Sequence, residues 1–275
     1  MAYYKQVEQT KGGAMITIVI CNQKGGVGKS TTAAAVAAGL HNKGKRVLMV
    51  DADPQSNLSF MNGVDLLNLS RSLYDVFLAH SNGEDLNIQE TIQHVDVAGL
   101  DIIPGNLKLT AADRLFADPS LVYMLSEVLE PVQGDYDFCV VDTGPNLGVL
   151  AENAMTAADY IIIPLTADML ALQGMMQLSG SIKKQKKHFN HKLEIAGILL
   201  TMYDPRKALS KGLEGMIQKT ADMMGTKVFN TRIRRTQAIS NAIAFQEDIY
   251  TQAPRAKATA DYKTFVDELL ETIGE

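Results

Sequence analysis

Lys24-Gly25-Gly26-Val27-Gly28-Lys29-Ser30-Thr31 follows an apolar, β-branched run, Ile16–Cys21, and opens an alanine-rich helical stretch, Lys29–Asn42. A strand, a glycine loop and a helix in that order make a phosphate cradle. The glycines let the backbone turn tightly so that its N–H groups converge on phosphate oxygens. The helix N-terminus adds unsatisfied donors and a favourable dipole. In such a loop Lys29 reaches the β- and γ-phosphates, and the Ser30 hydroxyl is offered to Mg²⁺. The pattern departs from GxxxxGK[ST] at its first position: Gln23 stands where the first glycine would fall, and a second lysine, Lys24, leads into the glycines.

Outward from the loop, short apolar runs alternate with longer helical patterns. The runs predict strands at Ile16–Cys21, Arg46–Val50, Asp101–Ile103, Phe138–Val141, Tyr160–Pro164, Ile195–Thr201 and Lys227–Asn230. Several are apolar almost throughout, as parallel strands buried on both faces are. Helices are predicted at Lys29–Asn42, Ser72–Ala79, Leu121–Leu129, Val149–Ala157, Leu170–Phe189, Leu209–Met224 and Ala258–Thr272. The alternation argues for an α/β fold, doubly wound, with a mostly parallel sheet and helices on both faces. No repeat or Pro/Gly-rich linker divides the chain, so residues 15–275 are read as one domain. Residues 1–14 are polar and are expected to be a flexible extension; Met15 is an equal candidate for the natural start.

Two further segments carry carboxylates. In RVLMVDADPQSNLS, Asp51 and Asp53 fall at the C-terminal end of a predicted strand, where ligands of open α/β sheets collect. Capping or turn aspartates ahead of Pro54 are the other reading. In FCVVDTGPNLG, four apolar residues lead to Asp142, the form of a Walker B strand whose carboxylate holds Mg²⁺. That pattern also arises by chance, and the phosphate loop upstream is what gives it weight.

Composition narrows the function classes. Of 275 residues 46% are apolar and 21% charged, an ordinary globular balance that excludes a disordered or fibrous chain. Cys21 and Cys139 lie 118 residues apart with no CxxC pair, which excludes a disulfide scaffold and a cysteine-rich metal site within one chain. The longest apolar candidate, Tyr160–Met176, is interrupted by Pro164 and Asp168, so no membrane-spanning helix is expected. The first residues lack the apolar stretch of a signal peptide. A soluble protein of a reducing compartment is expected. The net charge of −5 hides an uneven distribution: Lys183–Arg235 holds 13 Lys and Arg against 4 Asp and Glu, a balance of +9. Such a segment presents a positive field to an anionic partner; for Lys183, Lys184, Lys186 and Lys187 a solvated helix face is the bland alternative.

The KGGVGKST form, with DADPQ and DTGPNLG behind it, resembles the deviant Walker A P-loop ATPases of the ParA/MinD family. LGVLAENAMTAADYIIIP, GILLTMYDPR and VFNTRIRR are similar to stretches of ParA/Soj-type partition ATPases, so the resemblance runs over nearly the whole chain from Met15. It implies an Mg²⁺-dependent ATPase, slow without its partner, in which residues 24–31 (Lys24, Gly25, Gly26, Val27, Gly28, Lys29, Ser30, Thr31) bind ATP. Lys24 would act across a dimer interface, Asp53 would position the attacking water, and Ser30, Asp51 and Asp142 would surround the metal. Where the family reads Ile-Pro-Arg-Asn near the adenine, this chain has Ile233-Arg234-Arg235-Thr236; Arg234 and Thr236 carry over as nucleotide-edge positions. Gly144 replaces the first proline of the family's DxPPxLG. The resemblance further implies a homodimer formed on ATP binding that holds non-specific double-stranded DNA through Arg206 and Arg235. A centromere-binding ParB-like partner would release it, in the cytoplasm, on the nucleoid. The alternative is a MinD-like ATPase positioning a protein or membrane-associated cargo. That reading needs a basic amphipathic C-terminal helix, whereas no Lys or Arg follows Lys263. No membrane partner is therefore expected.

Overall fold

The computed structural model describes residues 15–84, 86–95, 99–204 and 208–275, with the side chains of 170, 171 and 208–211 left aside. The strands are β1 (Ile16–Ile20), β2 (Val47–Ala52), β3 (Gln93–Val95), β4 (Leu100–Ile103), β5 (Phe138–Thr143), β6 (Tyr160–Thr166), β7 (Glu194–Tyr203) and β8 (Val228–Arg234). They form one sheet in the order β3-β4-β2-β5-β1-β6-β7-β8, parallel except for the β3–β4 pair. The helices are α1 (Lys29–His41), α2 (Asn57–Met61), α3 (Leu73–Ser81), α4 (Ala112–Leu115), α5 (Met124–Leu129) and α6 (Val149–Ala157), then α7 (Met169–His188), α8 (Ala208–Met224), α9 (Gln237–Phe245), α10 (Ile249–Gln252) and α11 (Lys257–Ile273).

Period-two alternation sends successive strand residues to opposite cores. Val19, Cys21, Leu48, Val50, Cys139 and Val141 enter one core with α3, α5, α6, α7 and α8. Ile18, Ile20, Val47, Met49, Phe138 and Val140 enter the other with α1, α10 and α11. Helix α1 lies close to its neighbours because most of its buried positions are alanine or glycine. At Gly39 the approach is tight: an added Cβ would lie 2.6 Å from the Tyr250 hydroxyl oxygen and 2.8 Å from Val266 Cγ2.

All seven expected strands form. The eighth, β3, is a three-residue antiparallel edge strand, too short to show a periodicity. The helix expected at Leu121–Leu129 begins as a 3₁₀ turn over Pro119–Tyr123 before α5. Helices α2, α4, α9 and α10 were not anticipated; three are single turns, and α9 follows directly on a segment read for its chemistry.

The strand order places the candidate residues together. Strand β5 lies between β1 and β2, with Asp142 in register with Ile20 on one side and Asp51 on the other. The chain leaves β1 for β2 beyond β5 and later returns to β6 on the opposite side of β1. The C-terminal edge at such a reversal is where these sheets take ligands.

Candidate nucleotide site

The glycine loop crosses from β1 to α1 with Gly26 at φ 71° and Gly28 at φ 84°, left-handed conformations that favour glycine. A Cβ added at Gly25, Gly26 or Gly28 would meet no protein atom within 4 Å, so the loop backbone stands in open space at these glycines. The first turn of α1 contains no acid and leaves the positive helix end unneutralised. Lys29 is buried, and its ammonium donates to the Lys24 carbonyl at 3.3 Å. The Thr201 hydroxyl donates to the Val27 carbonyl at 2.8 Å. Asn22 ties the loop to β6: its side-chain amide donates to the Pro164 carbonyl at 2.6 Å, and its oxygen accepts the Lys24 N–H at 3.0 Å. The Lys24 ammonium pairs with Asp168, just past β6 of its own chain, and donates at 3.3 Å to the hydroxyl of Thr166, the last residue of that strand.

The three aspartates have different surroundings. Asp51 is fully buried and accepts the Ser59 N–H and hydroxyl, each at 2.7 Å, and the Asp53 N–H at 3.2 Å. Asp53 accepts the Gln55 N–H at 2.9 Å. Both oxygens of Asp142 are buried without a hydrogen-bond partner. Burial drives the carboxyls of Asp51 and Asp142 upward; for Asp142 the Asp51 charge adds to this, the Ser30 hydroxyl, close by but outside hydrogen-bond geometry, opposes it, Asp53 raises it further and Lys29 draws it back. An ionised carboxylate buried without a partner is costly, and a hydrated hard cation would relieve it. Among the described residues no trio of His, Cys, Asp and Glu could hold a metal ion. A serine hydroxyl and a carboxylate beside a phosphate loop suit an ion that completes its shell with water and a bound phosphate, as Mg²⁺ does.

The remaining candidates lie further out. Thr31 lines a small cavity with Ile239, Ala242 and Ile243 of α9. Arg234 makes a two-pronged pair with Asp261 of α11, at 2.9 and 2.5 Å. Thr236 caps α9 by accepting the Ala238 N–H at 3.3 Å. Arg235 is exposed beyond the end of β8, which is parallel to β7, so it stands at the same sheet edge as the glycine loop. Arg206 falls outside the described residues. Ser59, Asn22, Asp168 and Asp113 were not anticipated, because each meets the site through a fold contact that no local motif announces. Both thiols are buried, and burial pushes that of Cys21 up to about 11.

A parallel sheet with a glycine loop before a helix, a lysine in its first turn and an orphaned carboxylate on the adjoining strand defines a P-loop nucleotide-binding domain. Residues 15–195 match the AAA domain family. The chain belongs to that family, among its ParA and Soj members. It is 35% identical to the sporulation initiation inhibitor protein Soj of Bacillus subtilis, covering 92% of this chain and 97% of that one. It is 34% identical to the chromosome partitioning protein ParA of Caulobacter vibrioides, covering 92% and 93%. A crystal structure of cobyrinic acid a,c-diamide synthase from Mycobacterium smegmatis with bound ADP and magnesium superposes with a TM-score of 0.81. It is 31% identical and is matched over 95% of this chain and 96% of that one.

Proposed function

We propose that this protein is an Mg²⁺-dependent ATPase that partitions DNA, and that ATP hydrolysis switches its hold on DNA. The observation that carries the reading is the buried, unpartnered Asp142 carboxylate on the strand beside the glycine loop. The loop N–H groups and Lys29 bind the phosphates, with Thr31 on the same helix turn. Ser30 and Asp142 would hold Mg²⁺, which neutralises phosphate charge when bound. Asp53 orients the attacking water, with Asp51 held behind it by Ser59. Lys24 leaves Asp168 and reaches across a sandwich dimer to the partner's nucleotide, where its charge stabilises the transferred phosphoryl group. Arg234 and Thr236 lie at the nucleotide edge and set α9 and α11 in place there. One domain, 15–275, carries all of this.

The ATP-bound dimer binds double-stranded DNA without sequence preference through Arg206 and Arg235, and a ParB-like partner stimulates an otherwise slow hydrolysis that releases it. The exposure of Arg235 supports this, and the charge balance of its segment does so too. Contacts of this kind give affinity that falls steeply with salt. A membrane-directed, MinD-like role is less well supported. Tyr262, Phe265, Val266 and Leu269 of α11 are buried in the core, which leaves that helix no apolar face for lipid. Among the described residues no helix is long and apolar enough to cross a membrane.

The test is binding to non-specific double-stranded DNA with no nucleotide, with ADP and with ATP·Mg²⁺, at two salt concentrations. Binding in ATP alone, weakened by salt and lost in Lys29→Ala and Arg235→Glu, is the expected result. ATP binding without DNA binding in any state refutes the DNA role.

A further inference from the structure

Helix α6 begins at Val149 behind Gly148, which has no side chain with which to cap it. Its cap comes from a distant segment. Asp113, in α4, accepts the Val149 N–H on Oδ1 at 2.8 Å and the Asn146 side-chain amide on Oδ2 at 2.7 Å. A carboxylate is the group a helix N-terminus favours. The fit explains the glycine as well: a Cβ on Gly148 would lie 2.1 Å from Asp113 Oδ1.

The segment held in this way, residues 144–148, joins the strand that carries Asp142 to α6. Its near end is fixed where the Thr143 hydroxyl donates to the Ile20 carbonyl at 2.9 Å, at the end of β1. Its far end is fixed by Asp113. Between the two, Gly144 lies against Asp53, so closely that a Cβ there would stand 3.3 Å from Asp53 Oδ1. Asp53, Gly144, Asn146 and Asp113 line one cleft of ≈ 290 Å³. Residues 144–148 thus link the Asp113-capped start of α6 to the backbone against which the Asp53 carboxylate lies.

We propose that Asp113 is a positioning residue for ATP hydrolysis: through Asn146 and the α6 N-terminus it holds residues 144–148 against Asp53. The inference rests on the ATPase reading above and names a residue that acts through the loop, touching neither the glycine loop nor the phosphates.

The experiment compares wild type, Asp113→Ala, Asp113→Asn, Asn146→Ala and the Asp113→Ala/Asn146→Ala double variant by steady-state hydrolysis, amide exchange of residues 144–149 and thermal unfolding. Asp113→Ala is expected to lower kcat by about 10- to 100-fold, since small misplacements of reacting groups cost that much. KM for ATP should stay within about twofold, because binding is left to the glycine loop. Exchange at 144–149 should quicken in step. Asp113→Asn, with one acceptor oxygen left, should fall between, and the Asp113→Ala/Asn146→Ala double variant should lose no more than Asp113→Ala alone. Wild-type kcat in Asp113→Ala overturns the proposal, and so does a fallen kcat with exchange at 144–149 unchanged. If Asp113→Ala does not fold, Asp113→Asn decides by the same criteria. A wild-type protein that turns over ATP no faster than Lys29→Ala refutes the ATPase reading itself, and this inference with it.

Discussion

Replacing Gly39 by alanine separates helix propensity from packing in the helix that carries Lys29 and Ser30. Propensity alone favours alanine by about 1 kcal/mol. The site has no room for it: the new methyl would stand 2.6 Å from the Tyr250 hydroxyl oxygen and 2.8 Å from Val266 Cγ2. Forcing a methyl into a packed core costs about 1–3 kcal/mol. Displacing Tyr250 also breaks the hydrogen bond its hydroxyl donates to the Ala35 carbonyl at 2.9 Å, worth about 0.5–1.5 kcal/mol. The net is a loss of about 0.5–3.5 kcal/mol. Gly180, within α7, is the control, since a Cβ there would meet nothing within 4 Å. Gly180→Ala should gain about 0.5–1 kcal/mol. Urea unfolding reads both: the midpoint should fall for Gly39→Ala and rise for Gly180→Ala, with the slope unchanged. A Gly39→Ala midpoint equal to that of Gly180→Ala would refute the packing argument.

Three further outcomes follow from the site. Asp142→Asn should stabilise the protein free of nucleotide and metal at neutral pH, because the folded carboxyl has its pKa raised by burial. Such a group weakens folding as pH rises above its unfolded value of about 4, so the gain should vanish below that pH in unfolding measured across pH, and a gain independent of pH counts against it. Lys29→Ala should weaken ATP binding about 10- to 150-fold, the worth of one charge-assisted hydrogen bond, as read with a fluorescent ATP analogue. Lys24→Ala should bind ATP but give no ATP-dependent dimer in light scattering; a normal dimer would show that the lysine works only within its own chain, beside Asp168.

The doubly wound α/β architecture, the phosphate loop and the strand-end aspartates were legible along the chain, because these are written locally. A β-branched run, glycines at left-handed positions and a helix start fit within sixteen residues, Ile16–Thr31. The central parallel strands were equally legible, since burial on both faces leaves little that is polar in them; β8, at the sheet edge, carries Asn230, Thr231, Arg232 and Arg234 and is only partly buried. How each charged group is used depends instead on contacts between distant segments. Ser59 meets Asp51 only because α2 folds back over the end of β2, and Asp113 reaches Val149 across 36 residues. Arg232, Arg234 and Arg235 read alike in sequence, yet Arg232 turns to the Phe229 and Asn230 carbonyls, Arg234 to Asp261, and Arg235 to solvent. Local pattern sets which backbone forms; the partner of a side chain depends on what the rest of the chain brings within a few ångströms, and no window of sequence contains that.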